Sequence, residues 1–353
     1  MPRADEGLVP FEPRGEPEWA AGKTFLVPEE RTPDTAAALR ERRAFTERPP
    51  TSSRLPFSYQ LVPSRVRDVV ARTMGRVLRR RSSSWGQFPR WPLDLSADLV
   101  LDLAGDRSPF EEGPTPVLLT HDLDSAEGLT NLVTRFLDLE ERFGARSTSF
   151  VVPCGWPLDH GALAGVRERG HVLGIHGYDH ANRTPFLPEA ERRARLEAAR
   201  PLRERYGIDG YRAPSLLRTR GLLRDLAAGF RWDASVPTSG GPFPVPNNGC
   251  ASARPFRLEG IWELPLSLPR DGSLLFLGHA PEEIGELWCS LADEVARSGG
   301  VVVLLAHCEE RFSGSPAMRG AYERFLEHVA SNERFRFATP AEVIERAERG
   351  ATA

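Results

Sequence analysis

The chain has 353 residues, with 46 basic and 49 acidic side chains that leave a net charge of −3. A composition of 40% hydrophobic and 27% charged residues, with a mean hydropathy of −0.37, excludes a wholly disordered or membrane-spanning protein and leaves room for one large α/β core with an appendage. The near balance of charge offers no global field to hold a polyanion, so no nucleic-acid partner is expected.

Residues 1–56 are rich in Pro, Arg and Glu without sustained apolar periodicity, and are expected to form an arm that lies on another surface or stays mobile. Their charges and prolines stand where a secretory leader would need an apolar stretch, and the longest aliphatic run, Val301 to Ala306, is too short to span a bilayer. A cytoplasmic location is therefore expected. Residues 57–115 read as a helical extension packing on the main domain. Within them, positions 64–81 place Val66, Val69, Val70, Met74, Val77 and Leu78 at helical spacing, with seven arginines elsewhere. Such a basic amphipathic helix either touches anionic lipid or packs its apolar stripe on protein and solvates its arginines. The second, commoner arrangement is the expectation, with peripheral membrane contact as the lesser alternative.

From Pro116 onward, short β-rich runs alternate with amphipathic helices. Candidate strands lie at 117–120, 149–152, 171–175, 210–211, 230–232, 262–264, 301–305 and 335–337. The clearest helix has Leu129, Leu132, Val133, Phe136, Leu137 and Phe143 on one face, and others lie near 159–168, 189–206, 220–228, 281–297, 318–330 and 341–348. Pro201 should break the helix that spans it. This alternation predicts a largely parallel sheet, and seven or eight units suffice to close it into a (β/α) barrel whose functional groups sit just after the strands. Cys154, Cys250, Cys289 and Cys308 form no C-x-x-C pair, so neither a zinc knuckle nor a disulfide framework is indicated, and they read as small buried hydrophobes. No feature of the sequence fixes an oligomeric state.

Chemically capable residues do cluster after the strands: Thr120-His-Asp-Leu-Asp124, His176-Gly-Tyr-Asp-His180, Arg212-Ala-Pro-Ser215, Asp233 and His307. On a helical turn, His176 and His180 would present both imidazoles to one ion. Gly177 stands where a zincin would need its glutamate, which excludes that reading. A third ligand and an open position are still required. Asp122 and Asp124, two apart in an extended segment, project to one side, so one can bind the ion while the other takes a proton from water. The competing reading is a turn capping the helix that begins near Ser125. His121 and His171 sit in or beside buried strands and are expected to be structural. Tyr178, Asp179 and Trp232 are expected at the mouth, and the long segment from Pro237 to Pro255, with Asn247, over the substrate groove. Glu263 ends a strand and is expected only to support the site.

In order and spacing these segments resemble the five motifs of the polysaccharide deacetylase family, the NodB-homology group of carbohydrate esterase family 4, over residues 116–350. The resemblance implies a distorted (β/α) barrel of about seven units and one divalent metal ion, zinc before cobalt or nickel. It also implies removal of N-acetyl groups from aminosugars, with an N-acetylated carbohydrate as the partner. Carried over by position, Asp122 is the catalytic base, Asp124, His176 and His180 hold the metal, Arg212 orients the base, His307 is the general acid, and Asp233 is the acidic residue near it. Pro214, Ser215, Tyr178 and Trp232 fall at substrate-binding positions. Leu123, inserted between the two aspartates, leaves their roles exchangeable, and Ser215 replaces the family's tyrosine while keeping a backbone N–H for an oxyanion. Two rival readings stand beside this one: a hydrolase of another amide or cyclic ureide using the same site, and a non-catalytic glycan-binding module.

Overall fold

The computed structural model describes residues 7–46, 48–54, 61–82, 91–240 and 249–350; Asn247 lies outside them. The chain opens with β1 (Leu8–Phe11) paired antiparallel to β2 (Phe25–Pro28). Helix α1 (Pro33–Arg42) follows, with Thr32 as its cap and Pro33 in its first turn, where the missing N–H costs nothing. Next come α2 (Thr51–Arg54), α3 (Ser64–Ser82) and α4 (Ser96–Leu103). Where the sequence shows no sustained periodicity, the structure has a hairpin and a helix whose Phe25, Val27 and Ala36 are fully buried in the main core. Trp19 Nε1 donates to Asp102 at 2.9 Å. Four-residue strands are too short for a periodicity count to detect.

The main domain runs β3 (Thr115–Leu123), α5 (Ala126–Asn131), a π-helical turn (Leu132–Phe136), α6 (Leu137–Arg142), β4 (Ser147–Val151), α7 (His160–Glu168) and β5 (Val172–His176). Then follow α8 (Glu189–Glu197), α9 (Arg200–Tyr206), β6 (Gly210–Arg212), α10 (Arg220–Ala227), β7 (Trp232–Asp233), β8 (Phe256–Leu258) and β9 (Ile261–Glu263). The chain finishes with α11 (Asp271–Leu277), α12 (Pro281–Arg297), β10 (Val302–Leu305), α13 (Pro316–Ala330), β11 (Phe335–Phe337) and α14 (Pro340–Gly350). Pro201 falls in the first turn of α9, so the helix expected over 189–206 is two helices.

The strand order is β10-β3-β4-β5-β6-β7-β9-β8, with β11 beside the start of β3, and every pair but β8–β9 is parallel. This is the α/β architecture expected, but the ladder does not close. Residues 264–268 bridge the gap: Leu266 N–H donates to Val236 and Leu268 N–H to Val303, while Val303 N–H donates to Ser267 Oγ. The ring is therefore a barrel with one side made of single hydrogen bonds in place of a ladder.

Alternation along β3 sorts its side chains. Leu118 joins an inner cluster with Phe150, Trp232, Trp262, Leu305 and Ile344 of α14, while Val117, Leu119 and Leu123 face the helices. The Phe150 and Trp232 rings, from β4 and β7, meet edge to face at 5.6 Å, which only a curled sheet permits. His121 takes the outer side and is structural. Its Nδ1 lies 2.7 Å from the Ala306 carbonyl and its Nε2 2.6 Å from Glu140, two acceptors, so the buried ring is a cation. Burial works against that charge, and Glu140 outweighs it and raises the pKa. Tyr322 donates to the same Glu140 oxygen at 2.8 Å. His171 is likewise structural, accepting from Ser147 N–H at 3.0 Å.

Replacing Glu140 by Ala leaves a buried imidazolium and a phenol without their acceptor. We predict a loss of about 3–5 kcal/mol in urea denaturation; a loss below about 1 kcal/mol, the scale of an exposed pair, would contradict this reading of the His121 pair.

Candidate active site

Asp122 closes the inner row of β3, and Asp124 stands just beyond the strand. Helix α5 is capped by Ser125 Oγ, which accepts from Gly128 N–H at 3.2 Å, so neither aspartate is used as a cap. His176 is the last residue of β5. Its Nδ1 lies 3.0 Å from the Arg212 carbonyl, which can only accept, so Nδ1 carries a proton and Nε2 is the nitrogen turned toward the site.

His180 arrives by a route the sequence did not indicate. The chain after β5 forms no helical turn; it bends through Gly177 (φ 69°) and His180 itself (φ 55°). A Cβ on Gly177 would lie 2.5 Å from the Pro214 ring, so glycine is required there for space as well as for backbone sign. Asp124 Oδ1 then stands 3.0 Å from His180 Nε2 and 3.4 Å from His176 Nε2. The three side chains offer ligand atoms all within 4.8 Å of one another, the set expected of a metal site. Burial disfavours the Asp124 anion, but His180 and His176 outweigh it and hold the carboxyl well below its ordinary range. Two imidazoles and a carboxylate are also the donor types a zinc-like ion takes.

Asp122 is held differently. Arg212, wholly buried, donates from Nη1 to Asp122 Oδ1 at 3.1 Å and to Thr120 Oγ1 at 2.8 Å, and from Nε to the Ala234 carbonyl at 2.9 Å. Its guanidinium carbon lies 4.3 Å from the centre of the Phe150 ring. Burial disfavours the Asp122 anion, but His176, Arg212 and His307 outweigh it and hold the carboxyl below its ordinary range.

His307 follows β10, and its partner is Asp271, the first residue of α11. Nδ1 lies 2.7 Å from Asp271 Oδ1, and the His307 N–H donates to Oδ2 at 2.8 Å. Ser313 Oγ also donates to Asp271, at 2.7 Å. Burial opposes the imidazolium, yet Asp271, then Asp124 and Asp122, push its pKa up to about 9. The stability from this pair is fully present below pH about 6.5 and is lost as pH rises through about 9.

This corrects the expectation for Asp233. In the two-residue strand β7, Trp232 takes the inner face and Asp233 the outer, where it accepts from Ser235 Oγ at 2.7 Å and faces Glu263. Burial, then Asp233, raises Glu263 well above its ordinary range, and the carboxylate that pairs with His307 is Asp271 instead. Trp232 is corrected too: it packs in the barrel core and donates to Asp209, ahead of β6, at the end opposite the mouth. Tyr178 does not border the cavity and lies under Arg195 at 4.8 Å, and Asp179 pairs with that arginine at 3.3 Å. Pro214 is buried against Gly177, supporting the rim. Ser215, at φ 54°, does border the cavity. Of the described parts of the 237–255 loop, the second end packs on α4, where Ala97 N–H donates to the Ala251 carbonyl at 2.9 Å, while Pro237, Ser239 and Gly240 line a small pocket beside Ser215 and Arg270. Cys308 and Cys250 are buried, but Cys154 is exposed and Cys289 only partly covered; all four are free thiols.

The cavity has a volume of about 420 Å³ and is bordered by Asp122, Asp124, His176, His180, His307 and Ser215. Its other walls escaped the sequence: Arg270, Phe276 and Phe312 around α11, Arg311, and Val66, Val70 and Met74 of α3. Arg311 lies 3.6 Å from Asp68 of α3 and 4.0 Å from Asp124.

No sequence-family model matches the chain, and no curated protein matches it. Solved structures do. A protein classed as a polysaccharide deacetylase from Mycobacterium smegmatis is 22% identical with a TM-score of 0.54, over 68% of this chain and 92% of that one. Another so classed, from Pseudomonas aeruginosa, is 17% identical with a TM-score of 0.53, over 73% and 98%. Puue allantoinase is 18% identical with a TM-score of 0.52, also over 73% and 98%. The chain therefore has the NodB-homology fold of polysaccharide deacetylases.

In the metal-free protein, His307 should titrate near pH 9 by NMR and drop toward the ordinary imidazole range in Asp271→Asn. An unchanged titration in that variant would show that Asp271 is not what holds the charge.

Proposed function

We propose that the chain is a metal-dependent hydrolase that removes N-acetyl groups from aminosugars in a glycan or glycoconjugate. One observation carries this reading: the Asp124–His176–His180 triad enters a cavity bordered by both Asp122 and His307, each fixed by a buried partner of opposite charge. The resemblance of the five motifs and the shared fold support it. Asp124, His176 and His180 would hold a divalent ion, zinc before cobalt or nickel, and that ion would supply the charge that acidifies water and polarises an amide carbonyl. Asp124 has both imidazoles as neighbours, whereas Asp122 is committed to Arg212, so we assign Asp124 to the ion and Asp122 to the base.

Asp122 takes the proton from the attacking water through the oxygen not bound to Arg212. Arg212 keeps that carboxylate oriented and ionised. His307, protonated through Asp271, delivers a proton to the departing amine, which would otherwise leave as a poor anion. The backbone N–H of Ser215 is assigned to the developing oxyanion. No helix among the described residues is long and apolar enough to cross a membrane. We place the activity in the cytoplasm or at its membrane face, on a biosynthetic intermediate.

A second reading is favoured by the match to Puue allantoinase over the same share of the chain: ring-opening of a cyclic ureide. With added zinc or cobalt, acetate release from N-acetylated sugars is expected and opening of cyclic ureides is not; the reverse pattern would transfer the assignment to the second reading. Asp122→Asn should lower turnover on the order of 10²- to 10⁴-fold while metal content stays at the wild-type level. His176→Ala should lose both. Wild-type acetate release by both variants would end the proposal.

A further inference from the structure

Helix α3 sits on the barrel with the opposite face to the one its sequence pattern suggested. Its contact with the main domain is made by small and interior residues: Gly75 is buried, and a Cβ there would lie 2.0 Å from the Phe276 carbonyl oxygen of α11. Leu78 packs against the core, and Asp68 turns inward to Arg311 at 3.6 Å. The rest of the expected apolar stripe is left in solvent. Leu61, Val66, Val69, Val70, Met74 and Val77 are 50–75% exposed, and together they are the exposed large hydrophobic side chains of the described residues. A protein that buries its other large apolar groups and concentrates the exceptions on one helix and the residues just ahead of it has a patch with a partner.

The charge beside the stripe identifies the partner. At 100° per residue, Arg65, Arg72 and Arg76 fall along one flank of the stripe and are exposed. The single acidic residue of the helix, Asp68, is the one turned inward. The outward face is thus apolar and cationic in a chain whose net charge is −3. A second copy meeting it face to face would set arginines against arginines, whereas an anionic surface complements them. Val66, Val70 and Met74 belong to the stripe and also border the cavity, so the patch and the mouth of the site share a rim.

We propose that α3 is an interfacial helix that docks the protein on an anionic lipid bilayer, its valines entering the head-group boundary and its arginines pairing with lipid phosphates. The cavity mouth then opens at the membrane surface. This inference does not depend on the reaction proposed above.

Sedimentation with vesicles of phosphatidylcholine, with and without phosphatidylglycerol, tests it on the full-length protein. Binding is expected only with phosphatidylglycerol and should weaken as salt screens the arginines. Arg72→Glu/Arg76→Glu should lower the partition by on the order of tenfold or more, and Val69→Asp/Val77→Asp should abolish it. These four side chains are solvent-exposed and do not border the cavity, so thermal melting and metal content should match wild type. Failure to sediment with anionic vesicles, or equal binding to both vesicle types, would overturn the proposal. So would a concentration-dependent dimer, seen by light scattering, that Val69→Asp/Val77→Asp dissolves, since a second copy would then be the occupant.

Discussion

One oxygen atom organises this site. Asp124 Oδ1 is buried, 3.0 and 3.4 Å from two imidazole nitrogens that hold its carboxyl well below the ordinary range. A buried anion needs positive charge close by, and the surrounding structure gathers two imidazoles and a carboxylate around one point where a cation can settle. The Arg212 carbonyl fixes the His176 tautomer, Gly177 lets the chain turn back to place His180, and Ser125 takes over the helix cap that would otherwise engage the aspartate. The same Arg212 reaches through its guanidinium to Asp122, so one residue ties the orientation of the imidazole to the state of the neighbouring carboxylate. The second buried pair, His307 with Asp271, is built on separate elements and borders the same cavity.

What the sequence made legible was what short-range spacing controls. The strand and helix alternation predicted the parallel sheet, Pro201 the break between α8 and α9, and the two-residue separation of Asp122 and Asp124 a common side for both carboxylates. Partnerships across the sheet were not legible. Asp271 lies 36 residues before His307 at the start of a helix with no motif around it, and only the folded arrangement brings them together. Asp233 was misassigned because strand parity in a two-residue strand is decided by the neighbours: Trp232 is drawn into the core by Phe150, which turns Asp233 outward.

The orientation of α3 shows the same limit in a different form. Periodicity reveals which residues share a face of a helix but not which face meets the protein. Here the small residue Gly75 allows the backbone of α3 to approach α11, and this contact, not the valine stripe, sets how the helix lies. Of the expected apolar stripe, Leu78 packs on the core and the rest faces outward, so a wall of the cavity and an exposed amphipathic face are parts of one element. The long loop expected to cover the groove packs on α4 at its second described end, and α3 supplies a wall of the cavity that the sequence did not indicate.

The most direct test is a crystal structure of the cobalt-loaded protein with anomalous data at the cobalt edge. A single strong peak is expected about 2.0–2.2 Å from Asp124 Oδ1, His176 Nε2 and His180 Nε2, with Asp122 still bound to Arg212. A peak ligated elsewhere, or no peak in that pocket under saturating cobalt, would contradict it.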